Sequence, residues 1–375
     1  MLSLVLLGLA CGADPAPKLD PAQPFTGTVS AAVTYQIDFR AVVTAPQGTK
    51  KLRVWVPVPQ SDPAQEMTAG EWDTFPTDVE PAFHTEAVFG NRFAYFELDT
   101  PQGAQVLTHR FTATVRQMDW NVTERNVVAV KEWPKVFDPF NRSEAAVVID
   151  DRVRKLAAEV TAASATPASK LFSVLDWTNR TLTYDHSVTS LIASTDHALT
   201  KKRGDCSDYH GVCSSLGRAL GVPTRIAKGY HLFPKNSPSH CKLEAFLPPH
   251  GWVSFDVSET QKLLAAIAAD GSLAANRKMA LTAAAIARLR RGFRDNTWLK
   301  HSHGTEYDLA PKASRKVPLV SVLYAEADGV PLPEPDPADK TKKEFAWMSA
   351  HKYTPNRPVT YPFRDLNSLT AKPPR

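Results

Sequence analysis

Arg203-Gly204-Asp205-Cys206-Ser207-Asp208-Tyr209-His210 is the stretch on which the fold of this chain turns. It stands directly before a helical pattern. Tyr209, Val212, Cys213, Leu216 and Leu220 recur at the spacing of one buried helical face, and Gly221-Val222-Pro223 ends it. Asp205 and Ser207 suit the cap and first turn of that helix. Cys206 therefore heads a helix, where backbone N–H groups without intrahelical partners favour an anion. A cysteine acts as a nucleophile only as its thiolate, so this position suits a reactive one.

Downstream, Thr224 to Leu232 reads as a strand passing through Gly229, and His240 to Leu247 as a second. In the second strand His240, Lys242, Glu244 and Phe246 share one face, and Cys241, Leu243, Ala245 and Leu247 the other. Pro248-Pro249-His250-Gly251 turns the chain, and Trp252 to Val257 returns as a third strand. If Leu247 pairs with Gly251, Lys242 faces Asp256 and His240 lies diagonal to it, within reach of its carboxylate. Asp256 can then orient the imidazole of His240.

Four motifs in this order resemble the transglutaminase-like superfamily, the papain-related group with a Cys, His, Asp triad. They are Gly204-Asp205-Cys206-Ser207-Asp208, then Arg218-Ala219-Leu220-Gly221-Val222-Pro223-Thr224-Arg225, then His240 with Glu244, and Gly251-Trp252-Val253-Ser254-Phe255-Asp256. The resemblance spans Val153 to Val257 and, more loosely, Gly304 to Gly329. It implies an α+β fold: a papain-like transglutaminase core with a helical subdomain packed on an antiparallel sheet. It also implies Cys206 as nucleophile, His240 as general base and acid, and Asp256 as the orienting carboxylate, with no cofactor and no metal. Where the family commonly has an aromatic residue two positions after the histidine, this chain has Lys242, which puts the wall of the acyl pocket in question. The implied reaction is thiol acyl transfer on an amide or peptide carbonyl of a protein or peptide substrate. Resolution of the thioester by water, as in a protease or amidase, is expected ahead of resolution by an amine, which would make a cross-linking transglutaminase.

The 375 residues suffice for two domains, and 43% hydrophobic with 22% charged residues is ordinary for a globular protein. A formal charge of +5 is mild, and the basic residues are scattered among acidic ones, so nucleic acid is not expected as a partner. Leu2 to Ala10 is an apolar run too short for an ordinary membrane span, leading into Ala10-Cys11-Gly12-Ala13-Asp14. Residues 1–25 are expected to be an export signal and linker, with Cys11 a candidate for lipid attachment, although no Lys or Arg precedes the run. That places the mature protein in the periplasm or cell envelope. Without Cys11 the count leaves Cys206, Cys213 and Cys241, an odd number that fits one free catalytic thiol, with the other two as buried small hydrophobes.

From 27 to 130 the pattern is all β. Val33, Tyr35, Ile37, Phe39, Ala41 and Val43 alternate with polar residues, as do Leu52 to Val58 and His109 to Val115, which predicts a β-sandwich. Glu132 to Arg142 reads as a connection. The catalytic domain is expected over 150–330, opening with helices marked by Val153, Leu156, Ala157 and Val160, then Leu171, Val174, Leu175 and Thr178. An alanine-rich helical insertion is expected at about 261–292, its Arg288-Leu289-Arg290-Arg291 run a solvated helix end. Tyr307 to Leu309 and Val317 to Ala327 read as closing strands, and 331–375 as an extended Pro-rich tail.

Two other classes compete. Cys206, His210 and Cys213 share a helical face and, with His240 and Cys241, could form a zinc site, although neighbours on a strand point to opposite faces and no Cys-x-x-Cys pair is present. His301 and His303 read as surface polar residues. A non-catalytic peptide- or glycan-binding module is the other alternative.

Overall fold

The computed structural model describes residues 18–370 apart from 24, 69, 235–238, 336–337 and 339–346, and no side chain over 347–351. The expected Leu2–Cys11 export signal lies outside the described residues. No helix among them is long and apolar enough to cross a membrane.

The alternating N-terminal region forms β1 (Thr28–Thr44), β2 (Lys51–Val58), β3 (Gln65–Met67), β4 (Glu71–Phe75), β5 (Ala82–Thr85), β6 (Arg92–Asp99) and β7 (Ala104–Asp119). Then come α1 (Asp138–Asn141), α2 (Asp151–Val160), α3 (Pro167–Thr181), β8 (Thr183–Tyr184), α4 (Thr195–Lys201), β9 (Arg203–Gly204) and α5 (Cys206–Ala219). The middle of the chain continues with β10 (Thr224–His231), β11 (Ser239–Phe246), β12 (Trp252–Phe255), α6 (Val257–Ala269) and α7 (Ala275–Arg291). It closes with β13 (Phe293–Arg294), β14 (Trp298–His303), β15 (Tyr324–Ala327), β16 (Val330–Pro331) and β17 (Trp347–Pro355).

Two sheets face each other across the inward residues of β1, β2, β6 and β7. Val33, Tyr35, Ile37 and Phe39 meet Val54, Phe96, Phe111 and Val115 in one core. Each such side chain contributes about 1.5–3 kcal/mol when taken from water. The sheets run β13-β7-β1-β17, with β3 and β4 also on β7, and β16-β15-β2-β6-β5. β13 and β17, at the two ends of the first sheet, and β15 and β16, at one end of the second, come from beyond residue 290, while β5 ends the other side. β15, expected to close the catalytic sheet, instead pairs with β2, Tyr324 opposite Trp55. The catalytic sheet is closed by β14, which runs antiparallel to β10 with Tyr230 opposite Leu299. The expected extended tail is corrected in the same way. β17 pairs along β1, and Tyr361 and Phe363 then bury against Leu263, Leu281 and Phe293.

Helix α5 is buried from Cys206 to Arg218 and lies on the antiparallel sheet β12-β11-β10-β14. Tyr209, Val212, Cys213 and Leu216 pack with Leu243, Ala245 and Phe255 of that sheet and with Leu171 and Leu175 of α3. The papain-like α+β core is thus present, with a strand-rich N-terminal region joined to it. Phe39 of β1 stacks on Tyr230 of β10 at 5.1 Å, so the two cores touch directly. The expected connection 132–142 is itself packed, with Phe137 and Phe140 buried against Phe246 and Trp252. The expected insertion is two helices, and the first begins at Val257, earlier than 261. Its arginine run is a solvated end only in part: the side chains of Arg290 and Arg291 are 45% and 39% exposed, whereas Arg288 is buried. Arg288 is 3% exposed, donates to the Pro362 carbonyl at 3.2 Å and lies over the Phe363 ring.

Candidate active site

Three helix and strand ends converge at the site. Asp205 caps α5: its Oδ1 accepts the Ser207 N–H at 2.8 Å, while Asp208 Oδ2 accepts the Asp205 N–H at 3.2 Å. Cys206 is the first residue of the helix, so its own N–H is one of the donors without an intrahelical acceptor. Strand β11 brings His240 opposite Gly229 of β10. A side chain at Gly229 would press on the Leu299 carbonyl oxygen, 2.2 Å from the Cβ position, so glycine is what lets β14 approach. The turn closes as expected, with the Leu247 N–H donating to the Gly251 carbonyl at 2.9 Å. Asp256 follows β12 and caps α6, its Oδ1 accepting the Glu259 N–H at 3.0 Å.

Cys206, His240 and Asp256 are thereby brought together. His240 Nε2 lies 2.8 Å from Asp256 Oδ2, and the same imidazole is hydrogen-bonded to the Cys206 sulfur. The three side chains are 4%, 2% and 2% exposed.

Electrostatics favour an ion pair. The Cys241 thiol donates to the Cys206 sulfur and is the largest influence lowering its pKa; burial and Asp205 oppose, His240 and Lys228 assist, and the net shift is well below the ordinary thiol range. At His240 burial works against the imidazolium, yet Asp256 and Cys206 hold its pKa up to about 9. Burial likewise works against the Asp256 carboxylate, and His240 and Lys242 overcome it, holding the pKa well below normal. Cys213 behaves in the opposite way. Burial pushes its pKa up to about 12, and its sulfur contacts Thr178 Oγ1 at 3.3 Å. Cys206, Cys213 and Cys241 are all free and buried.

Several functional neighbours escape the sequence reading. Lys242 is not a pocket wall. It is 1% exposed, 2.5 Å from Asp295 Oδ2 and 3.4 Å from Asp256 Oδ2, and so serves both carboxylates as a buried counter-ion. Alternation places Lys242 on the Asp256 face, but Asp295 comes from a loop that no local pattern connects to it. Cys241, expected to face away from the site that His240 joins, hydrogen-bonds Cys206 all the same, and His210 Nδ1 lies 3.5 Å from its sulfur. His301, expected at the surface, is 2% exposed on β14, and burial lowers its pKa to about 3. Among the described residues, the side chains grouped as three potential metal ligands are His231, His240 and Glu259, not the cysteine set. A cavity of about 700 Å³ opens beside His240, bordered by Tyr184, His186, His231, Glu259, Lys262 and Arg364.

A cysteine at a helix start on an antiparallel sheet, with an imidazole and a carboxylate in line, is the arrangement of a papain-like core. Comparison with known proteins agrees. Residues 154–257 match the family model of the Transglutaminase-like superfamily, and the chain carries a transglutaminase-like domain. It is 26% identical over 182 residues to a Pseudomonas aeruginosa protein-glutamine gamma-glutamyltransferase, covering 43% of this chain and 27% of the relative. It is 25% identical over 169 residues to an uncharacterized Haemophilus influenzae protein, covering 39% and 42%. The chain therefore spans about a quarter and two-fifths of these relatives. A Cytophaga hutchinsonii structure described as a candidate cysteine protease superposes with a TM-score of 0.61 at 18% identity, over 91% of this chain and 97% of that one. That likeness concerns the fold.

Proposed function

We propose that this protein is a thiol acyl-transfer enzyme that hydrolyses amide or peptide bonds through a thioester on Cys206. The observation that supports this most is the hydrogen-bonded run from Cys206 through His240 to Asp256. The Cys206 thiolate attacks the carbonyl carbon, and the oxyanion accepts the Cys206 N–H. The C–N bond breaks as the His240 imidazolium protonates the departing amine. Neutral His240 then takes a proton from water, whose oxygen attacks the thioester and frees the thiolate. Asp256 keeps the ring aligned throughout. The cavity of about 700 Å³ beside His240, with Glu259, Lys262 and Arg364 among its bordering side chains, gives water room to reach the thioester.

The glutamyltransferase likeness favours a second reading in which a lysine amine resolves the thioester. Incubating the full chain with a carboxamide peptide and an amine-bearing probe separates the two. Free acid with Cys206 as the acylated residue supports hydrolysis; probe-linked peptide supports transamidation. No acyl-enzyme with any amide or ester would leave the binding-module alternative in its place. Export and lipid attachment at Cys11 belong to the same proposal, and intact mass of the native protein tests them.

A further inference from the structure

We propose that His231, His240 and Glu259 form a reversible site for a divalent transition metal, with zinc the best fit, and that its occupation silences the Cys206–His240 pair. The three residues come from three elements. His231 ends β10, His240 is the second residue of β11, and Glu259 lies in the first turn of α6. Gly229 pairs with His240, so His231, two residues on, shares its face of the sheet. The two imidazoles stack at 4.6 Å with an interplanar angle of 17°. One ligand atom from each residue lies within 4.8 Å of the others, and all three side chains are buried. Ligand atoms around tetrahedral zinc sit about 3.4 Å apart, so modest side-chain rotation closes the site.

The donor set selects the metal. Two imidazole nitrogens and one carboxylate oxygen suit zinc and its neighbours, whereas calcium and magnesium take oxygen ligands. The surroundings resemble a built metal site. Asp256 holds His240 Nε2 at 2.8 Å, so the ligating atom is the other ring nitrogen, which a bound metal takes from its hydrogen bond with the Cys206 sulfur, and the Tyr361 hydroxyl donates to Glu259 Oε2 at 2.5 Å. Such outer partners orient metal ligands and raise their basicity. The adjoining cavity of about 700 Å³ admits the ion and a water for the fourth position. Lys262 Nζ, 2.9 Å from Glu259 Oε1, competes for the carboxylate, which keeps binding reversible.

Binding costs the proposed mechanism its acid. A coordinated imidazole has no proton on its ligating nitrogen, so zinc on His240 occupies the position from which the leaving amine would be protonated. The inhibitory effect rests on the reading of His240 as general acid and base; the binding itself does not.

The test uses EDTA-treated, full-length protein, with zinc binding followed by calorimetry and cobalt(II) by its visible absorption. One ion per chain is expected. His231→Asn and Glu259→Gln should each weaken it about 100-fold, since loss even of outer-sphere partners costs 10–100-fold. Cys206→Ser should change it less than about threefold. Should His231→Asn not fold, Glu259→Gln alone gives the same reading. In parallel, zinc should slow iodoacetamide modification of Cys206, and EDTA should restore it. Affinity unchanged in both ligand variants, or abolished in Cys206→Ser, overturns the site. Binding that leaves alkylation unchanged overturns its inhibitory role. Zinc binding with the expected residue dependence, in a protein whose Cys206 ranks as an ordinary thiol, would break the triad reading while the site stands. A reactive Cys206 in a protein that binds no zinc would do the reverse.

Discussion

The β1–β7 sandwich and the Cys206–Asp256 core are both buried antiparallel structures, yet they spend burial on opposite kinds of side chain. In the sandwich, Ile37, Phe39, Phe111 and Val115 point inward, and the charged side chains of Asp38, Arg40 and Arg110 stay on the wet face. In the core, Asp205, His240, Lys242, Glu244, Asp256 and Arg225 are all nearly inaccessible. Apolar packing tolerates small shifts of partner and register energy. Buried charges hold only where each has its partner, since desolvating an unpaired ion costs several kcal/mol. The core is therefore poised for chemistry, and the sandwich is a wall that supports β10 and β14.

The sharpest way to break that contrast is at the site. Asp256→Asn should keep the site assembled but lower kcat about 10⁴-fold through misorientation of the ring. A loss below tenfold in steady-state turnover would show that Asp256 is a cap and nothing more. Next in size is the charge that holds the sheet. Arg225 Nε donates to Glu244 Oε2 at 2.6 Å inside the protein, so Arg225→Met should destabilise the fold by about 3–5 kcal/mol in urea titration. Adding Glu244→Gln should recover part of that loss. In the sandwich, Ile37→Val should cost only about 0.5–1.5 kcal/mol. The smallest effect belongs to the outer face, where Arg116 donates to the exposed Glu66 at 2.8 Å; Arg116→Ala should change stability by about 0.5 kcal/mol or less.

The same contrast explains what the sequence disclosed. The site was legible because its parts are local: a capped helix start places Cys206, a strand with a polar face and a tight return place His240 beside Asp256, and the resemblance to the superfamily joined the two. The β1 and β7 strands were legible from alternation. Their neighbours were not, because alternation says that a strand has a buried face and nothing about which distant strand lies at its edge. That is why β15 and β17 were misassigned to a closing sheet and a tail. Lys242 pairing with Asp295, and Arg288 closing on Pro362, are likewise long-range, and a charged residue in sequence gives no sign that it will be buried. Arg288 of α7 read as part of a solvated end for that reason.

The central claim, that Cys206 and His240 form a thiolate–imidazolium pair, is tested most directly by the pH dependence of iodoacetamide labelling, with each cysteine resolved by peptide mass spectrometry. The lowered pKa of Cys206 and the raised pKa of His240, about 9, predict a pair that stays charged at lower pH than an ordinary thiol allows and up to about pH 9. Cys206 should thus be labelled rapidly at pH 6, where Cys213, pushed up to about 12, is inert. Its rate should stay level until His240 loses its proton near pH 9, and His240→Ala should abolish the low-pH reactivity. A Cys206 that is unreactive at pH 6 and labels with a single midpoint near about 8.5, unchanged by His240→Ala, would contradict the account.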